Sequence, residues 1–198
     1  MALPKSYSDQ ERAYITKRLK EEAAACMGQF GIRRTTVDEI VRRVHIPKGT
    51  FYLFYPSKEL LLFEVIQEQH EQVNRELVQA LSGLAGASPT AEDITDVIFS
   101  FYRMTEDMPI FRLMDSEDIE LLVRKLPQEV VKAHLREDTD TIGKLLTLLP
   151  AKKDVDLEVL SAAFHAIYYA TLHKKEIGEA HYEQALRLLI HGVVTQII

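Results

Sequence analysis

Apolar residues recur at three- and four-residue spacing through most of the chain, the period of a helix with one buried face. No stretch sustains the alternation of a half-buried strand, and no Asn-Gly or Asp-Gly pair marks a hairpin. Glycine and proline fall between the periodic segments, at Gly31, Pro47-Lys48-Gly49, Pro56, Gly83 to Pro89, Pro109, Pro127, Pro150 and Gly178. The pattern predicts an all-α chain of about nine helices, over 8–29, 36–44, 48–54, 57–82, 91–107, 110–125, 128–149, 155–176 and 179–197, with a possible break near Asp115-Ser116. Caps support these starts. Ser8-Asp9-Gln10-Glu11 and Thr36-Val37-Asp38-Glu39 fit the capping box, and Ser57, Thr90, Ser116 and Asp154 precede further segments. Pro109 and Pro127 suit first-turn positions, and His173-Lys174-Lys175 before Gly178 suits a helix end.

Composition narrows the class. At 198 residues and 46% hydrophobic residues, the chain can bury a core without disulfides. The single cysteine, Cys26, excludes an internal disulfide framework and a cysteine-based zinc site. It reads as a small buried apolar residue rather than a redox sensor. No apolar run has membrane length, and Ser161 to Leu172 is short and contains His165. The start MALPKSYSDQ lacks a signal core, so the expected compartment is the cytoplasm.

Charge is unevenly spread. Residues 1–60 carry eleven Lys/Arg against seven Asp/Glu, while the remainder is strongly acidic. A basic head on an acidic body suggests that the head meets a polyanion, although chance clustering on solvated faces would look the same. The short segments 36–44 and 48–54, joined at His45-Ile46-Pro47, have the layout of a helix-turn-helix. Ala23, Met27, Val37, Ile40, Val41, Ile46 and Phe51 would form its small core. Arg33, Arg34, Arg42, Arg43, Lys48 and Lys58 would stay outside.

Thr35-Thr36-Val37-Asp38-Glu39-Ile40-Val41, Ile46-Pro47-Lys48-Gly49-Thr50-Phe51-Tyr52 and Tyr55-Pro56-Ser57-Lys58-Glu59-Leu60-Leu61 together resemble the TetR family of bacterial transcriptional repressors. Ala23, Cys26, Met27 and Gly31 match its first-helix pattern, and the specific match covers roughly residues 11–64. The resemblance implies a helix-turn-helix DNA-binding domain over 1–56 and an effector-binding and dimerisation domain over 57–198. It implies DNA contacts from Arg33, Arg34, Thr36, Lys48, Gly49, Thr50, Tyr52 and Lys58. The chemistry suits those roles. Thr36 would offer a helix N-terminus to a phosphate, and Lys48 could reach guanine O6 or N7. Gly49 would let the backbone approach the groove, and Thr50 could meet a base or phosphate. Tyr52 and Lys58, with Arg33 and Arg34 at the flank, would hold phosphates. The sequence departs from the family pattern at four places. His45 replaces glycine where a left-handed backbone is common, Pro47 replaces a small polar cap, and Leu53 and Phe54 replace polar positions. Tyr55 takes a phenylalanine slot and is expected in the core.

The body holds many large, adaptable side chains, among them Phe99, Phe101, Tyr102, Met104, Met108, Phe111 and Met114, with His165 and Tyr168 on a later helix. They read either as core packing or as an apolar pocket with a few polar groups. Because such repressors usually enclose a small inducer, the resemblance favours an effector site of Phe101, Tyr102, Met104, Met108, Phe111, His165 and Tyr168. Glu106, Asp107, Asp115, Glu117, Asp118 and Glu120 nearby would suit a cationic lipophilic effector or merely a solvated face. The last two helices each present a wide apolar arc, and Ala185 and Gly192 would permit close approach. Leu160, Phe164, Ile167, Leu186, Leu189 and Val193 are the expected interface of a twofold four-helix bundle, or else core within one chain.

Enzyme readings have little support. There is no P-loop, dinucleotide turn or nucleophile elbow, and no catalytic carboxylate pair is marked. No histidine pair shows the i, i+4 spacing of a helical zinc site, so neither a metal nor a cofactor is expected. The expected function is a cytoplasmic, homodimeric, ligand-responsive repressor, bound to an inverted-repeat double-stranded DNA operator and released by a small lipophilic inducer. A DNA-binding regulator controlled by a protein partner, an architectural DNA-binding protein, and an all-α enzyme or carrier are the alternatives.

Overall fold

Several helices begin where a side chain replaces a missing backbone partner. In the computed structural model, which describes residues 7–84, 88–107 and 116–198, the described segments are all-helical and contain no strand. At the start of α1 (Asp9–Arg34), the Glu11 N–H donates to Ser8 Oγ (3.3 Å) and the Ser8 N–H donates to Glu11 Oε2 (2.8 Å), a complete capping box. The box expected at α2 (Val37–Val44) is only half formed. The Glu39 N–H donates to Thr36 Oγ1 (3.2 Å), but the Glu39 carboxylate is taken by Arg42 and Arg43, whose charged donors outcompete a backbone amide. Those hydrogen bonds hold the Glu39 carboxyl at about 2, well below the usual range.

The next helices are α3 (Lys48–Phe51), α4 (Lys58–Leu84), α5 (Ala91–Asp107), α6 (Ser116–Lys125) and α7 (Gln128–Leu146). They are followed by α8 (Leu157–Leu172), α9 (Lys174–Ile177) and α10 (Tyr182–Ile197). Ser57 and Thr90 cap α4 and α5 as expected. Three expectations shift. The first helix runs on to Arg34, but it turns sharply at Gly31, whose φ of 75° is readily adopted only by glycine. The predicted 155–176 helix divides at His173, and its cap is Asp156 rather than Asp154, with Oδ1 accepting from the Glu158 and Val159 N–H groups. The recognition segment closes at Phe51, after which Leu53 and Phe54 continue in turns. The 110–115 part of the predicted sixth helix lies outside the described residues.

Two apolar clusters hold the molecule together. One joins Leu19, Ala23, Cys26 and Met27 of α1, Ile40 of α2, Phe51 of α3 and Leu61, Leu62 and Val65 of α4. Leu122 and Leu126 of α6 enter the same cluster, so the head is continuous with the body. Val37 and Ile46 pack at its edge, and Tyr55 is buried as expected. The other cluster joins Leu81, Ile94, Ile98, Ile167, Leu186, Ile190 and Val194, the seam of α4, α5, α8 and α10. Lys152 closes α10: its Nζ donates to the Gln196 carbonyl (2.9 Å) and its N–H to the Ile197 carbonyl (2.8 Å).

Candidate functional site

The head presents a two-helix corner. His45 ends α2 with φ 60° and ψ 43°, the left-handed conformation that its position demands and that histidine tolerates better than most residues. Pro47 then opens α3 from an extended backbone, its fixed φ replacing a side-chain cap. Thr36, Lys48, Gly49 and Tyr52 are exposed around this corner. Lys48 Nζ rests 2.9 Å from Asp38 Oδ2, an exposed pair that water and salt weaken and a nucleic acid can displace. A Cβ added at Gly49 would meet nothing within 4 Å, so the chain itself does not require glycine there.

Three expected contacts lie elsewhere. Thr50 is buried, and its Oγ1 sits 3.4 Å from the Tyr7 hydroxyl, so its side chain turns toward the head rather than the groove. Lys58 points inward as well: Nζ donates to the Thr35 carbonyl (2.7 Å) and the Ile32 carbonyl (3.3 Å), tying the start of α4 to the end of α1. Burial pushes the Lys58 ammonium below the ordinary lysine range. Arg33 faces the body, pairing with Glu117 and with Asp118 (2.8 Å) of α6. Arg34 stays exposed with Nε on the Phe30 carbonyl (3.0 Å). Leu53, which the sequence comparison counted only as a lost polar contact, is 54% exposed beside Tyr52. An outward leucine at the end of a recognition helix can meet a thymine methyl.

Behind the head, α4 to α8 enclose a cavity of about 380 Å³. Phe101, Tyr102, His165 and Tyr168 of the expected effector site line it. Met104 does not, and Met108 and Phe111 lie outside the described residues. The Tyr102 hydroxyl donates to the Phe164 carbonyl (3.0 Å), which sets α5 against α8, and burial pushes its proton loss well above the ordinary tyrosine range. Burial also raises Tyr168, to about 12, so both phenols are neutral donors at physiological pH. Most of the lining is aliphatic and comes from α4 and α7, helices whose large aliphatic residues drew no attention in the sequence.

The polar part of the wall is a group of three histidines around one carboxylate. His165 Nε2 lies 2.8 Å from Asp138 Oδ2. His134 Nε2 is 3.6 Å from Oδ2, and His70 Nδ1 is 3.6 Å from Oδ1. Burial pushes the Asp138 carboxyl up, but the hydrogen bond from His165 and the neighbouring imidazoles outweigh it and hold Asp138 below the ordinary aspartate value. Because the carboxylate is ionised it can only accept, so His165 carries its proton on Nε2. Burial pushes His70 down, favouring its neutral form. Of this group the sequence reading had only His165. The available signal was His134 and Asp138 four residues apart on one helix face, a pair that a count of histidine–histidine spacings passes over.

The outer faces of α8 and α10 carry exposed apolar residues: Val159, Tyr169, Leu188 and Leu189, with Ala162, Ala166 and Gly192 between them. The residues expected at a dimer interface divide between core and surface. Leu160, Ile167 and Leu186 are buried within the chain, and Phe164 lines the cavity, because α8 already packs on α7, α10 packs on α5, and the two pack on each other. Leu189 stays outward, and Val193 is half-buried against the second cluster.

A helix-turn-helix head is joined to an all-helical body with an inner cavity, the layout of a DNA-binding regulator, and comparison with known proteins places the head. Residues 19–65 match the family described as bacterial regulatory proteins, tetR family. The HTH-type transcriptional regulator YuxN of Bacillus subtilis (strain 168) is 24% identical over 135 residues, 65% of this chain and 46% of that protein. The chain spans about half the length of the curated relatives it matches, or less. Among solved structures, RolR in complex with resorcinol has a TM-score of 0.62 at 21% identity, over 96% of this chain and 90% of that one. SmeT, the repressor of the Stenotrophomonas maltophilia multidrug efflux pump SmeDEF, has a TM-score of 0.57 at 17% identity, over 92% and 89%. The head is thus a TetR-family DNA-binding module, and the chain has the fold of a TetR-family transcriptional regulator. No helix among the described residues is long and apolar enough to cross a membrane.

Proposed function

We propose that the protein is a homodimeric repressor acting on DNA in the cytoplasm, released from an inverted-repeat operator when a small lipophilic molecule occupies the inner cavity. One observation carries this reading. Helix α4 is fastened to the head at its start and lines the cavity along its length. Lys58 holds the end of α1, and Lys20 of α1 pairs with Glu64 and Glu68, about two and three turns further on. Phe63, Ile66, His70 and Val73 of the same helix then face the cavity. A molecule that favours a different α4 tilt would move the head it carries, and it shifts the equilibrium only by its differential affinity for the two arrangements. The resorcinol held by the structural neighbour RolR makes a small aromatic compound the first probe.

Lys48, Gly49, Tyr52 and Leu53 would enter the major groove, and Thr36 and Arg34 would meet phosphates. Two heads related by a twofold axis would read half-sites about 34–36 Å apart. Selection from random duplexes followed by footprinting tests this, and protection without dyad symmetry defeats it. For the effector, operator affinity is titrated with resorcinol and a panel of small aromatic and aliphatic compounds. By reciprocity, a true inducer loses affinity for the operator-bound protein by the same factor that it weakens DNA binding, typically corresponding to about 1–3 kcal/mol. If compounds that bind the cavity leave operator affinity unchanged, the inducer reading fails while the DNA reading stands.

A further inference from the structure

The wall that holds Asp138 separates two spaces of opposite character. On one side is the apolar cavity. On the other is a polar cleft of about 220 Å³, bordered by the same His70, His134 and Asp138. Its lining also holds Glu71, Glu137 and Asp140 against one cation, Lys144. We propose that this shared wall is a binding site for a divalent transition-metal ion of the zinc class, with His70, His134 and Asp138 as ligands and His165 as the residue that orients the carboxylate.

The first argument is geometric. One ligand atom from each of His70, His134 and Asp138 can be chosen so that all three lie within 4.8 Å of one another. Donors around a tetrahedral ion with bonds of about 2.0–2.2 Å stand roughly 3.3–3.6 Å apart. His70 Nδ1 stands 3.6 Å from Oδ1 and His134 Nε2 stands 3.6 Å from Oδ2, so each imidazole already has that spacing from one carboxylate oxygen, and a monodentate ion would draw the second imidazole onto the same oxygen. His134 and Asp138 sit one turn apart on α7, and His70 reaches them from α4. Two helices therefore supply a clip like that of many structural and catalytic ions.

The second argument is that hydrogen bonding accounts for only part of the arrangement: His70 Nε2 has the Asn74 side-chain amide at 3.5 Å, while its Nδ1 faces Asp138. Asp138 already has a direct partner in His165 at 2.8 Å. The other two imidazoles face the same carboxylate from beyond hydrogen-bond distance. His134 is steadied instead by edge contacts with the rings of Phe63 and His70. Two nitrogens held around a buried carboxylate with a gap between them suit an ion better than they suit each other. His165 then fills the role of an outer partner that fixes the orientation of a ligating carboxylate. Two imidazoles and one carboxylate select zinc-class ions over calcium or magnesium, which prefer all-oxygen shells. The acidic cleft supplies the entry path for a cation.

This inference does not rest on the repressor reading, and its test measures the ion directly. Full-length protein, freed of any affinity tag and treated with chelator, is titrated with Co²⁺ by visible absorption and with Zn²⁺ by calorimetry. The expected result is one ion per chain, Co²⁺ absorption of tetrahedral intensity, and its displacement by Zn²⁺. His134→Ala and Asp138→Ala should each weaken Zn²⁺ by more than about 100-fold, and His165→Gln by about 10–100-fold with an altered Co²⁺ spectrum. Should Asp138→Ala fail to fold, the isosteric Asp138→Asn removes the ligand charge and should give the same loss. His173→Ala, outside the cluster, should bind as the wild type does. Absence of stoichiometric Co²⁺ absorption, or cluster variants that bind Zn²⁺ like the wild type, would overturn the proposal. Neither outcome touches operator binding.

Discussion

Arg33, in the last turn of α1, places its Nε 2.8 Å from Oδ1 of Asp118 in the first turn of α6, joining the end of the head's first helix to the body. Asp118 is almost fully buried, so it relies on such partners. The pair fixes how the head sits, and it occupies a guanidinium that the charge pattern alone would assign to a phosphate. Arg33→Ala should lower the melting temperature and weaken operator binding without altering its salt dependence. Loss of a true phosphate ligand would instead reduce the log–log salt slope by about 0.9 for each head bound. Affinity measured across a salt series, beside a thermal melt, separates the two.

Lys58 invites the same question. With its ammonium on the Ile32 and Thr35 carbonyls, Lys58→Met should cost roughly 1–2 kcal/mol of stability in urea unfolding, because carbonyls at a helix end lose a charged donor. The salt slope should again stay unchanged. A variant as stable as the wild type but with a flattened slope would return Lys58 to the DNA face.

Gly49 gives a prediction of opposite signs. A methyl group there meets nothing in the chain, and alanine favours a helix by about 1 kcal/mol over glycine. Gly49→Ala should therefore melt at an equal or higher temperature, yet bind operator more weakly because the added methyl stands between backbone and groove. Unchanged operator affinity would show that α3 does not approach that closely.

Leu188 and Leu189 face outward on α10, at 71% and 49% exposure. Leu188→Asp with Leu189→Asp should leave the helical content of the chain intact and convert a dimer to monomers, because unpaired charge in an apolar interface is costly. Leu186→Asp, by contrast, should unfold the chain. Sedimentation of the wild type as a monomer at micromolar concentration would remove this surface as an interface.

Cys26 is fully buried, and burial pushes its thiol above the ordinary range. The thiolate is the reactive species, and a raised pKa means that less of it is present at any pH below that value. Thiol reagents at neutral pH should label the folded protein far more slowly than the denatured one. Rates that are equal in the two states would contradict the burial.

Much of this was legible in the residues themselves because it is local. Caps at Ser8, Thr36, Ser57 and Thr90, the left-handed turn at His45 and the buried set Ala23, Met27, Ile40, Val41 and Phe51 follow from spacing and backbone chemistry over a few positions. The helix-turn-helix and the all-α class rest on the same short-range rules. The tertiary structure alone decided which way the long polar side chains turn and which apolar arcs already have partners. Arg33 and Lys58 look like surface cations in the sequence, but α6 and the end of α1 bring a carboxylate and two carbonyls to them. Leu160, Ile167 and Leu186 share an apolar pattern with Leu189, and only packing against α5 and α7 separates core from surface. His70, His134 and His165 are scattered along the chain, and they meet at Asp138 because α4, α7 and α8 cross there. Periodicity reports which face of a helix is buried; it carries no information about which other helix that face will meet.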